Sequence, residues 1–126
     1  MTPSAQPTYT EEPCIYVFQR ALTASQHLPD VPVLIDNDSD FMLTGIHGSS
    51  TGAYTINFRL PGGRLISSAE IANTNMLGTA AEPAAIGPAP IYRAGSIGPA
   101  LTLTDTSGAG NTLEICFTGV RRLRTG

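Results

Sequence analysis

The chain has 126 residues but no lysine, no tryptophan and only two cysteines. Charged residues make up 13%, about half of the ~25% usual in globular domains. Without lysine a long-helix or coiled-coil composition is excluded. The lack of tryptophan weakens, without excluding, the Trp or Tyr platform of many carbohydrate-binding sandwiches, and with aromatics at 6% an RNA-binding strand with interleaved aromatics is not seen. Two cysteines outside any CxxC pair build no disulfide framework. Cys116 lies in an alternating apolar run and reads as a buried free thiol. No stretch approaches the ~18 apolar residues of a membrane span. No Lys or Arg precedes Arg20 and no apolar core follows the start, so no secretory signal is expected, and synthesis and assembly in a cytoplasm are. The net charge of −3 speaks against a general nucleic-acid surface. The length is too short for a TIM barrel or a full α/β-hydrolase.

What is present is punctuation and alternation. Gly (13) and Pro (10) divide short runs of strand-forming residues. Residues 1–13 are polar, contain proline and show no periodicity, so a mobile arm is expected there, with a sandwich domain over 14–126. Residues 15–18 (IYVF) are strong strand formers. Val31, Val33 and Ile35 alternate around Pro32, which marks an edge strand or a strand start. Phe41, Leu43 and Gly45 form one face of a run. Tyr54, Ile56, Phe58 and Leu60 form one face of another, followed by Pro61-Gly62-Gly63, a hairpin signal. Ser67 to Glu70 match a capping box, yet Asn73, Thr74 and Asn75 are poor helix formers, which favours strand or irregular structure over a short helix. Residues 82–100 hold four prolines and read as an extended loop tacked down by Ile86, Ile91 and Tyr92. Leu101 and Leu103, the turn 107–111, then Leu113, Ile115 and Phe117 read as the clearest hairpin. The last of these strands is expected to lie centrally, paired on both sides. Seven to nine short strands, with no helix longer than two turns, predict an all-β, single-domain antiparallel β-sandwich of jelly-roll type.

Candidate chemistry is sparse. Gly48 to Gly52 spell G-x-S-x-G around Ser50, with His47 nearby. A nucleophile elbow needs a helix next, and an alternating strand follows instead. Asp36, Asp38 and Asp40 resemble the start of an EF-hand loop, but Phe41 and His47 stand where Gly and Glu are required; an acidic turn is the simpler reading, and a cation there is left open. His27 and His47 are the only histidines, too few for a cupin-type metal centre. No catalytic residue, cofactor or metal site is expected.

The stretch 101–124 (LTLTDTSGAGNTLEICFTGVRRLR), with its D-x-S-G-x-x-N turn and G-V-R-R ending, resembles small virion structural proteins of tailed bacteriophages. PVLIDNDSDFMLTGIHG and YTINFRLPGGRLIS resemble the same group, so the likeness covers about residues 31–124. It implies a non-enzymatic jelly roll that decorates or cements the exterior of a capsid shell. The implied partners are further copies of itself, as a dimer or trimer, and a major capsid protein, with no direct nucleic-acid or membrane contact. A tail, neck or fibre component, or a host-surface glycan-binding module, is the alternative; a small jelly-roll enzyme is a third class.

All seven cations are arginines, suited to bidentate pairing with carboxylates. Arg59, Arg64, Arg93, Arg121, Arg122 and Arg124 are therefore the candidate interface residues. Strict alternation from Phe117 would put Arg121 on the core face, where an unpaired charge is costly. A bulge at Gly119 that turns the arginines outward is the expected escape; an acidic partner at a subunit boundary is the other.

Overall fold

Alternating apolar residues form strands because period 2 brings one face of each run against a shared core. A computed structural model describes residues 9–124. The strands are β1 (Tyr9–Leu22), β2 (His27–Val31), β3 (Ser39–Ser50), β4 (Tyr54–Phe58), β5 (Ile71–Ala72), β6 (Ala84–Ala85), β7 (Ile91–Tyr92), β8 (Leu101–Asp105) and β9 (Asn111–Arg124). One helical turn, α1 (Asn73–Met76), follows β5. One sheet runs β1-β9-β3-β6, with β7 also on β3; the other runs β2-β8-β4-β5. All of these ladders are antiparallel. The expected antiparallel β-sandwich is what the chain forms.

Both sheets contribute to one core. Phe41, Leu43 and Ile46 on β3 and Leu113, Ile115 and Phe117 on β9 meet Ile56 and Phe58 on β4 and Leu101 and Leu103 on β8. Phe58 and Phe117 touch edge to face across the layers, centroids 5.7 Å apart. Each such side chain contributes roughly 1.5–3 kcal/mol by leaving water. The last strand, β9, is paired on both sides as expected: β1 runs along it from Tyr9 to Leu22, and β3 along the other edge from Ser39 to Ser50.

Several expectations are corrected. Residues 9–13 of the predicted arm are strand, paired with the end of β9; residues 1–8 lie outside the described residues. The strands are not uniformly short, since β1 and β9 have 14 residues each. β8 and β9 are not a hairpin: they belong to different sheets, and residues 106–110 arch between them. Alternation marks an inward face but does not say whether the next strand turns back beside it or crosses the sandwich. The Pro61-Gly62-Gly63 turn does close, through an Arg59–Leu65 bridge, and Gly62 and Gly63 both take positive φ. Residues 71–76 are a two-residue strand followed by one helical turn, and the capping-box residues precede that turn without capping it. Val33 and Ile35 point inward and Leu34 outward as the pattern required, although the ladder of β2 ends at Val31.

No bulge occurs at Gly119. The β1–β9 register runs through it unbroken, and the shift lies across the ladder in β3, between Leu43 and Gly45. Gly119 is needed for a different reason: a Cβ there would collide with the Met42 carbonyl. The Gly119→Ala variant should therefore lose roughly 1–3 kcal/mol of stability, in the range of overpacked cores. Urea unfolding of both proteins measures the difference.

Candidate functional site

The candidate arginines assemble mostly through β9, β3 and β7. Arg121 lies opposite Glu12 on β1 and opposite Phe41 on β3, and Phe41 is opposite Tyr92 on β7. The loop after β7 docks beside this row. Ala94 N–H donates to Asp40 Oδ1 (2.9 Å) and Gly95 N–H to the Asp36 carbonyl (2.9 Å). The Tyr92 hydroxyl donates to the Arg59 carbonyl at 2.8 Å, which ties in the 59–64 turn. Arg59, Arg64, Arg93, Arg121 and Arg122 thus share one end of the sandwich with Glu11, Glu12, Asp30, Asp36, Asp38 and Asp40. Arg124 closes β9 there, opposite Tyr9; its side chain lies outside the described residues.

This end is cross-paired rather than basic. Because alternation continues past Gly119, Arg121 faces the sandwich side at its rim. Its guanidinium reaches Glu12 Oε1 (3.1 Å), Asp36 Oδ2 (3.7 Å) and the Cys14 sulfur (3.3 Å). Its partners are thus in the same chain, where a bulge or a subunit boundary was expected. Arg122 pairs with Glu11 at 3.5 Å. Arg59 Nε donates to Asp30 Oδ1 and its Nη1 to the Gly63 carbonyl, both 2.7 Å. That hydrogen bond to Arg59 holds the Asp30 carboxyl below the usual range and raises the guanidinium in turn. Arg64 and Arg93 remain exposed. Arg59 and Arg93 flank a cavity of about 240 Å³ floored by Leu60, Tyr92 and Gly98, with exposed Ile91 and Ile97 at its rim.

The acidic turn is spoken for locally. Asp36 meets Arg121, Asp40 accepts from Ala94, and Asp38 is exposed. Among the described residues, no group of three or more His, Cys, Asp or Glu is placed to hold a metal ion. Ser50 ends β3, its hydroxyl donates to the Gly52 carbonyl at 2.7 Å, and β4 follows. Cys14 and Cys116 are buried and free. Burial raises the Cys116 thiol, with Glu114 adding to it, so the nucleophilic thiolate is disfavoured.

The D-x-S-G-x-x-N motif is a structural joint. The Asp105 carboxylate accepts four bonds, from Ser107 Oγ (2.7 Å), Ser25 N–H (2.9 Å), and the Ser107 and Gly108 N–H groups (both 3.2 Å). Asn111 bonds the 51–53 segment through both ends of its amide, donating to the Gly52 (2.8 Å) and Ala53 (3.0 Å) carbonyls and accepting from Gly52 N–H (3.0 Å). Together they fasten the arch between the sheets. Sequence reasoning missed a polar row on the outer face of the second sheet, where Glu70 Oε1 accepts from Thr104 (2.7 Å) and Thr55 (3.1 Å) and His27 Nδ1 lies 2.7 Å from Thr104. The half-buried threonines were visible in the pattern; Glu70 joins them only through the fold. Comparison with models of protein families, with curated proteins and with solved structures gives no match.

Asp105 supplies a pH test. Its bonds, Ser107 first, hold the carboxyl at about 2, below its ordinary 3.8. A depressed acid stabilises the fold above the unfolded value and loses that contribution as pH falls toward the folded one. Stability should therefore drop between roughly pH 4 and 2. Asp105→Asn should be less stable at pH 7 and show a shallower acid slope. Denaturant midpoints across this range, compared with wild type, check both.

Proposed function

We propose that this chain is a non-enzymatic structural protein of a bacteriophage particle, a jelly roll that decorates or cements the outside of a capsid shell as a homo-oligomer. The observation that carries the reading is the nesting of its strands. β1 pairs with β9, β2 with β8, β3 with β6 and β7, and β4 with β5. β9 then joins β3, and β8 joins β4. A folded ribbon wrapped around a core would give this order, which supports a double-sheet jelly roll, a fold used by capsid proteins. It supports the fold that the resemblance in residues 31–124 implies. The threonine-rich outer faces support polar, wet contacts with a lattice. The cross-paired charged end supports a partner that meets both signs of charge.

Arg64 and Arg93 are the exposed cations of this end that would make such a contact. Purified protein should bind shells that lack it saturably, and cryo-electron microscopy of the loaded particles should place it on the outer surface. Absence of binding to shells would overturn the reading. The Arg64→Ala, Arg93→Ala double variant should keep its stability to within about 1 kcal/mol, bind shells more weakly and respond less to salt. Binding unchanged across a salt series would remove these two residues from the contact. A serine-directed fluorophosphonate should leave Ser50 unlabelled, and stoichiometric labelling would contradict the non-enzymatic role.

A further inference from the structure

The four sheet edges are built differently. β5, β6 and β7 have two residues each. β2 is broken by Pro29, by Asp30 in the left-handed region (φ 49°), and by a register shift between Leu28 and Val31. These are the usual defences of an edge against pairing with another chain. β1 lacks most of them. It runs 14 residues in unbroken register against β9, and among the described residues no strand pairs with its other side.

The direction of its free groups follows from Pro13. Proline has no N–H, so within a continuous ladder its nitrogen faces away from β9. Backbone direction alternates along a strand, so Ile15, Val17 and Gln19 also point their N–H and C=O groups to the open edge. Two of these residues place large apolar side chains in solvent, Ile15 at 57% and Val17 at 53% exposure. Arg20 stands three residues beyond Val17. It lies over the Phe18 ring at 5.8 Å, and among the described residues it forms no ion pair.

We propose that β1 pairs antiparallel with β1 of a second copy across a two-fold axis at Tyr16, joining the two β1-containing sheets into one. In this register Ile15 faces Val17 of the second copy twice over, and both pairs direct their hydrogen-bonding groups at each other. Glu12, which also meets Arg121 of its own chain through Oε1, faces Arg20 of the second copy, also twice. A register centred on Ile15 would set Glu12 against Phe18, and one centred on Val17 would set Arg20 against Cys14. The apolar and charged complements coincide only at Tyr16. Such a self-complementary patch is what a two-fold interface requires. Pro13 removes one bond at each end of the ladder and helps keep longer, open-ended pairing in check.

This specifies the homo-oligomer within the structural reading and rests on it. A monomer that still saturates shells would remove the edge pairing alone, whereas a dimer that ignores shells would remove the shell contact alone. Sedimentation of the full chain over a dilution series should show a monomer–dimer equilibrium. Arg20→Glu, which sets like charges opposite each other twice, should weaken association about tenfold or more. In a Cys116→Ser background, Ile15→Cys with Val17→Cys should give a reducible covalent dimer that neither single cysteine gives. Should any variant misfold, hydrogen exchange on the unmodified protein decides the matter: the amides of Ile15, Val17 and Gln19 should gain protection as concentration rises. A chain monomeric at every concentration, undiminished association of a folded Arg20→Glu variant, or edge amides that stay unprotected in the associated state would each overturn the proposal.

Discussion

Everything in this fold leans on the two-sided ladder of β9. A central strand must satisfy backbone groups on both edges along its length, and β9 does so against β1 and β3 at once. Its inward face supplies Leu113, Ile115 and Phe117 to the core. Its start is fixed by Asn111, which fastens the arch to residues 51–53. Its end carries Arg121 and Arg122, which join β9 to β1 and to Asp36 just before β3. Placement of β9 therefore determines the close approach at Gly119, where Met42 leaves no room for a side chain.

The charged end shows how a lysine-free chain can carry its cations at little risk. Arginine has a planar fork that holds two acceptors at once. Arg121 uses it to bridge Glu12 and Asp36, from two different strand neighbourhoods. Arg59 uses it to join Asp30 to the turn carbonyl at Gly63. Pairs this exposed stabilise the monomer by only about 0–1 kcal/mol each. Their larger effect is on the surface: the end carries many charges with little net field, which limits nonspecific attraction to polyanions.

The sandwich was legible because the apolar faces of β4, β8 and the first half of β9 alternate cleanly, and so was the central position of β9; in β3 the shift after Leu43 turns Ile46 into the core, where strict alternation had put Gly45. What alternation could not convey was connectivity. A run such as Leu101–Leu103 followed by a turn and Leu113–Phe117 has the same pattern whether it forms a hairpin or an arch. The decisive groups are Asp105 and Asn111, whose partners at Ser25 and residues 51–53 are remote in sequence. The strand over residues 9–13 was hidden because Glu11, Glu12 and Pro13 carry no strand preference of their own; they continue the ladder of residues 14–22, which sets Glu11 and Glu12 opposite Arg122 and Arg121. The bulge was placed on the wrong strand for a related reason. A glycine signals close approach but does not say which of two neighbouring backbones bends.

The same limit applies to the arginines as a site. Six were singled out by residue type, yet the fold divides them by what lies opposite. Arg59, Arg121 and Arg122 meet carboxylates of their own chain, while Arg64 and Arg93 lie exposed, Arg93 beside an apolar-rimmed cavity. Arg20, which the charge pattern left out, forms no ion pair among the described residues and stands near the far end of β1. Pairing within a chain and pairing between chains draw on the same chemistry. Residue type therefore nominates contacts, and only the register of the strands tells which of them are already made.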